Sequence, residues 1–296
     1  MRQAFLLFLI AFSITSFSNC LAGEDELESN LFSKMIIHAE LSNAIYEGKS
    51  ALGDVANQFK LIPDDVINIP DIDISFVLVT DDAKKQQIVV IRGTANVENV
   101  IVDMDIKLVE DAQTGVSIHK GFLDAGNSIY KEVKSQLNNK YEITTTGHSL
   151  GGAVAVVLAM KMKEDGFNVD AVTFGQPKVT NVGGANKFKS LNITRVVRPK
   201  DIVPIVPPVD VMDIKNLDIY WHLGKEIILN NENEYAELEG VKSMLRGADF
   251  ITTVPTQEHV ENHSMTGYLS RVKSNSTKTT KVAYKTSFNP MKLFGK

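Results

Sequence analysis

The chain has 296 residues, 44% hydrophobic and 23% charged, which is enough ordinary globular sequence to bury a sizeable core as one large α/β domain. A formal net charge of −5 excludes a general attraction to nucleic acid or anionic lipid, so no nucleic-acid partner is expected. The single cysteine, Cys20, excludes an internal disulfide framework and a cysteine-based metal site within one chain.

Met1-Arg2-Gln3 is a short basic start, Ala4 to Phe17 is strongly apolar, and Cys20-Leu21-Ala22 ends on the small residue a signal peptidase prefers. Residues 1–22 therefore read as a cleaved secretory signal, with the mature protein secreted or periplasmic. The apolar stretch is short for a transmembrane span. Cleavage before Cys20 with lipid attached to it is the alternative, and it fits less well because Ser18-Asn19 is a poor small-residue box.

Apolar residues at helical intervals (Leu31, Met35, Ile36, Leu41, Ile45) predict a helix over 31–46 packed on a sheet, with His38 a structural histidine within it. Residues 50–72, with Gly53, Pro63 and Pro70, read as loop with short irregular helix. Two β-rich runs, 75–80 and 87–91, flank a polar turn and predict an antiparallel hairpin, whose second strand runs into Arg92-Gly93-Thr94. From 95 to 108, Val97, Val100, Ile101, Met104 and Leu108 share one stripe, which predicts an amphipathic helix, either core or movable cover.

A short strand, 116–119, then leads into a helix from Gly121-Phe122 to about Leu137. Tyr141 to Met160 follows as strand, sharp bend and buried apolar helix, with Gly147-His148-Ser149-Leu150-Gly151 at the bend. A strand that reverses directly into a helix strains the bend residue and leaves no room for side chains two positions either side, which the glycines supply. The serine hydroxyl then stands above the strand end, beside N–H groups at the start of a helix. On its own the pattern also describes a glycine-rich turn with a capping serine, so its context decides.

Further strands are predicted at 169–174 and 193–197, an edge hairpin at 221–229, polar surface structure over 230–258, and a terminal helix beginning near Asn262-His263-Ser264-Met265. Strand and helix alternate, which predicts a mostly parallel central sheet with helices on both faces and ligands at the carboxyl ends of the strands. Thr94, Ser149 and Asp201 all follow strand ends. From Arg271 to Lys296 there is no Asp or Glu; this basic Ser/Thr-rich tail reads as a solvated end, or as a contact to anionic membrane.

A reactive serine needs a base, and the base needs an orienting acid, here in the chain order serine, acid, histidine. His259 and His263 are the late histidines near a helix start, while His222 belongs to the hairpin beside Trp221. His263 is preferred because Met265, Tyr268 and Leu269 can anchor its helix. Asp201, past an apolar strand and locked by Pro199 and Pro204, is preferred as the acid over Asp210 and Asp213 in a looser segment. Leu150 N–H and Thr94 are the candidate oxyanion donors.

Five motifs in order, Ile88-Val89-Val90-Ile91-Arg92-Gly93-Thr94, His119-Lys120-Gly121-Phe122, Gly147-His148-Ser149-Leu150-Gly151-Gly152, Phe174-Gly175-Gln176-Pro177 and Arg195-Val196-Val197-Arg198-Pro199-Lys200-Asp201-Ile202-Val203-Pro204, resemble the class 3 lipases, the fungal-lipase-like α/β hydrolases. The motifs span about residues 86–270 of a domain read as 23–270, residues 1–85 and the tail from 271 match nothing specific, and the resemblance implies hydrolysis of lipid carboxylic esters at a lipid–water interface, as a triacylglycerol lipase or phospholipase A1-like enzyme. It implies no cofactor and no metal; no protein partner is expected. Matched position by position, it puts the nucleophile at Ser149, the acid at Asp201, the base at His263 and the oxyanion donors at Thr94 and Leu150. The family's lid has its counterpart at 95–106, where Val100 stands in place of the tryptophan many relatives carry. His119 reads as structural and His148 as support for the elbow. Acyl transfer to an alcohol would use the same residues, and lipid binding without catalysis is the reading from a different class.

Overall fold

The computed structural model describes residues 30–94, 106–207, 219–247 and 256–285. The signal reading over 1–22, with Cys20, and nearly all of the lid counterpart lie outside the described residues.

The main sheet grows around β-branched runs. Strands Gln86–Arg92, Glu142–His148, Val169–Phe174, Ile193–Val197 and Lys225–Leu229 lie side by side, all parallel. Ile74–Asp81 pairs antiparallel with the first of them, in the hairpin predicted from the sequence. Successive strand residues face opposite sides, so one hairpin feeds two cores. Phe76, Leu78, Val89 and Ile91 meet the helices Lys120–Val133 and Leu150–Glu164, while Val77, Val79 and Val90 meet the N-terminal helix 30–47. With helices on both faces of a mostly parallel sheet, the fold is that of an α/β hydrolase.

The helix Leu150–Glu164 is buried on nearly every side, from Gly151 to Met162. That follows from its apolar run Ala153 to Met160, which has no polar face to give to water. Its neighbour, Lys120–Val133, approaches so closely at Gly126 that a Cβ there would lie 2.6 Å from Val157 Cγ1.

Several segments differ from the sequence expectation. Lys49–Phe59 is a regular helix, held by Leu52 and Ala56 one turn apart and stopped by left-handed Lys60 at φ 60°. Lys225–Leu229 is no edge hairpin partner of Trp221. It is an interior strand between Ile193–Val197 and Glu234–Glu239, and Trp221 pairs in a second, small sheet. The polar stretch after 230 contains that strand Glu234–Glu239 and the helix Val241–Arg246, whose polar side chains turn inward. Arg246 Nε donates to Glu226 Oε1 (2.8 Å), and Ser243 donates to Glu226 Oε2 (2.6 Å) while accepting from Arg195 Nη2 (2.7 Å). The helix Met265–Thr277 enters the basic tail, burying Val272 and Asn275, and Thr280–Lys281 adds a strand to Glu234–Glu239. The first part of that tail is therefore built into the fold and is not a solvated end.

Candidate active site

Ser149 sits where the strand Glu142–His148 turns into the helix Leu150–Glu164. Its backbone is at φ 58°, ψ −130°, in the left-handed half of conformational space that a serine adopts only under constraint. The constraints are visible. Ser149 N–H donates to Phe174 O (2.9 Å), and Ser149 O accepts from Ala153 N (3.1 Å). A Cβ at Gly147 would lie 2.6 Å from both Ile91 O and Gly151 C, and one at Gly151 would lie 2.4 Å from Ile91 O. Glycine at both positions is thus a condition of the bend.

Leu150 opens the helix, so its N–H has no partner within the helix. The loop bearing Thr94 is pressed against the same bend. A Cβ on Gly93 would meet His148 O at 2.5 Å and Gly151 N at 3.3 Å.

Asp201 and His263 arrive from later parts of the chain. Asp201 follows the strand Ile193–Val197 and is fully buried. Its carboxylate is saturated on three sides: Oδ1 accepts from Val203 N–H (2.9 Å), and Oδ2 accepts from His263 Nδ1 (2.8 Å) and Tyr268 Oη (2.5 Å). Three donors are what a buried carboxylate requires. Burial, and then the same charge, hold the Tyr268 hydroxyl well above its ordinary pKa, so it stays protonated.

His263 caps the helix Gln257–Asn262 and is 1% exposed. With Nδ1 engaged by Asp201, its free nitrogen is Nε2. Both His263 Nε2 and Ser149 Oγ are buried and lack a hydrogen-bond partner. The two residues are near neighbours: a Cβ on Gly175, next to the Phe174 carbonyl that holds Ser149, would lie 2.8 Å from His263 Cε1 and 3.0 Å from Asp201 Oδ2. The imidazoles of His148 and His263 lie 4.4 Å apart.

Three other histidines are engaged elsewhere. His259 Nδ1 accepts from Thr256 N–H (3.0 Å) as a helix cap, His222 Nε2 donates to Pro204 O (2.5 Å), and His119 stacks on Phe122 at 4.0 Å. Two supporting residues were not assigned these roles from sequence. The sequence presents Tyr268 as an apolar anchor, and the structure brings its hydroxyl to Asp201 Oδ2. Arg198 Nη1 donates to Glu261 O (3.2 Å) and Asn262 O (2.9 Å), placing a cation at the end of the helix just before His263. Its position three residues before Asp201 was the available signal.

A serine at positive φ between a parallel strand and a helix, with a buried carboxylate–imidazole pair from later in the chain, has the form of a nucleophile elbow with its acid and base candidates. Residues 88–211 match the family described as Lipase (class 3), so this stretch of the chain is similar to the class 3 lipases. The match contains Thr94, Ser149, Leu150 and Asp201; Tyr46, His263 and Tyr268 lie outside it.

The secreted mono- and diacylglycerol lipase 1 of Fusarium solani is 36% identical over 139 residues, covering 44% of this chain and 42% of its own. A lipase of Rhizomucor miehei is 32% identical over 154 residues, covering 47% and 42%. The chain thus spans about two fifths of the length of these curated relatives. Among solved structures, the Lip2 lipase of Yarrowia lipolytica superposes with a TM-score of 0.59 at 28% identity, over 71% of this chain and 82% of that one.

Proposed function

We propose that this chain is a secreted serine esterase that hydrolyses carboxylic ester bonds of lipids through an acyl-enzyme on Ser149. The observation that carries the reading is the Asp201–His263 pair at 2.8 Å, with the far imidazole nitrogen and the Ser149 hydroxyl both buried and unpartnered. The likeness to lipases supplies the substrate class, and the apolar start of the sequence supports export.

Asp201 fixes His263 with its Nδ1 proton directed at the carboxylate, which leaves Nε2 as the base. Ser149 Oγ attacks the ester carbonyl carbon as its proton passes to Nε2. The oxygen of the tetrahedral intermediate takes its negative charge against Leu150 N–H and Thr94 N–H. The C–O bond to the alcohol then breaks, with the Nε2 proton moving to the departing oxygen. Water, losing a proton to Nε2, attacks the acyl carbon. The carboxylic acid leaves, and the proton returns to Ser149. Triacylglycerols and the sn-1 esters of phospholipids are the candidate substrates.

Turnover of a soluble p-nitrophenyl ester tests the reading. Ser149→Ala should remove it to background with thermal stability preserved. Retained turnover in that variant would contradict the mechanism.

A further inference from the structure

The N-terminal helix 30–47 lies outside the stretch that matches the lipase family, yet it reaches the site through one hydroxyl. Tyr46 Oη lies 3.1 Å from His148 Nδ1, and His148 Nε2 lies 2.6 Å from the carbonyl oxygen of His263. A carbonyl can only accept, so Nε2 carries the hydrogen of the His148 ring. The ring is 4% exposed, and burial, reinforced by the neighbouring His263, keeps it neutral. Nδ1 is then a bare lone pair, and Tyr46 must donate to it. The Tyr46 oxygen is in turn pressed against Gly93, at a contact so tight that a Cβ on Gly93 would lie 2.6 Å from it.

The two bonds form one directed chain, Tyr46 O–H to His148 and His148 Nε2–H to the His263 carbonyl, with Gly93 packed against its phenol end. We propose that Tyr46 and His148 are positioning residues, which lock the backbone of the base His263 in register with the oxyanion loop Gly93-Thr94 across the nucleophile elbow. The inference rests on the esterase reading of the site. It adds that the distance from base to oxyanion donor is set by a phenol from a helix remote in sequence, and that His148 is a two-ended strut.

The geometry explains why each member suits its place. A phenylalanine at 46 would leave His148 Nδ1 without a donor in a buried setting. His148 is the residue directly before Ser149, so a rotation of its ring is coupled to the backbone of both catalytic side chains. Misplacement of a base by a fraction of an ångström is read mainly in the chemical step.

Tyr46→Phe tests the relay, with Ser42→Ala as its control. Ser42 lies one turn earlier on the same helix and meets the same strand, with Oγ 3.2 Å from Thr146 Oγ1, outside the chain of bonds. On a soluble p-nitrophenyl ester, Tyr46→Phe should lower kcat about tenfold at nearly constant KM, and Ser42→Ala should keep kcat within about twofold. Nitrogen NMR of the parent protein should show His148 with its hydrogen on Nε2. A Tyr46→Phe kcat within about twofold of the parent, equal losses in both variants, or an Nδ1–H tautomer would overturn the inference. In those cases Ser149-dependent turnover by the parent persists and the esterase reading stands. A parent protein without that turnover removes both.

Discussion

Tyr268 donates its hydroxyl to the same Asp201 oxygen that holds His263, at 2.5 Å against 2.8 Å. The hydroxyl also accepts from Arg198 N–H at 3.1 Å, so it ties the acid to the chain end of its own strand. One carboxylate oxygen therefore carries two donors, and the orientation of His263 depends on both.

Tyr268→Phe should weaken this arrangement without emptying the core, because the ring remains. Loss of a buried hydrogen bond to a charged group is expected to cost about 1.5–3 kcal/mol of stability. Turnover of a soluble ester should fall roughly tenfold as Asp201 gains freedom. Urea unfolding and steady-state kinetics check the two together.

Asp201→Asn keeps the shape of the acid but reverses its chemistry. An amide can donate to His263 Nδ1 and so favour the wrong tautomer, with the hydrogen on Nε2. Activity should fall on the order of 10⁴-fold, while circular dichroism and melting temperature stay close to the parent.

Gly151→Ala tests the bend itself. The added methyl would lie 2.4 Å from Ile91 O and 2.8 Å from Gly93 N, both backbone atoms that cannot rotate away. Destabilisation of about 2–3 kcal/mol is expected, with lost activity, because the oxyanion loop is displaced at the same time. Alanine at Gly53, whose built Cβ meets nothing within 4 Å, should be tolerated.

Acid sensitivity follows from a buried neutral histidine. His222 is held well below its ordinary pKa of 6.5 by burial and then by the charges of Arg195 and Lys178. Below that pH the unfolded chain binds a proton there and the folded chain does not. Stability from this group is therefore complete above pH 6.5 and lost as pH falls, by up to about 1.4 kcal/mol per unit. In His222→Gln the slope of unfolding free energy against pH, measured by urea titration from about pH 5 to about pH 7, should shrink by that amount.

Much of the candidate site is legible in the sequence because its pattern is local. The glycines around Ser149 are written into five consecutive residues, and Asp201 stands beside two prolines at a strand end. The hairpin and the parallel strands were legible from their β-branched runs. What was hidden depended on distant contacts. Glu234–Glu239 reads as a charged loop because its inward residues, Tyr235, Ala236 and Leu238, are few, and Glu226 and Arg246 reverse the usual rule by burying charge against charge. The role of Tyr46 had no signal at all in its own neighbourhood. A tyrosine closing a helical stripe looks like core until the fold carries His148 to it.

The central claim is that Ser149 is the nucleophile, activated by His263. Treatment of the folded protein with a fluorophosphonate, followed by intact mass and peptide mapping, tests it most directly. One adduct per chain is expected, on the Ser149 peptide, formed much more slowly in the Asp201→Asn variant. No adduct on the folded parent protein, or an adduct on a different residue, would contradict it.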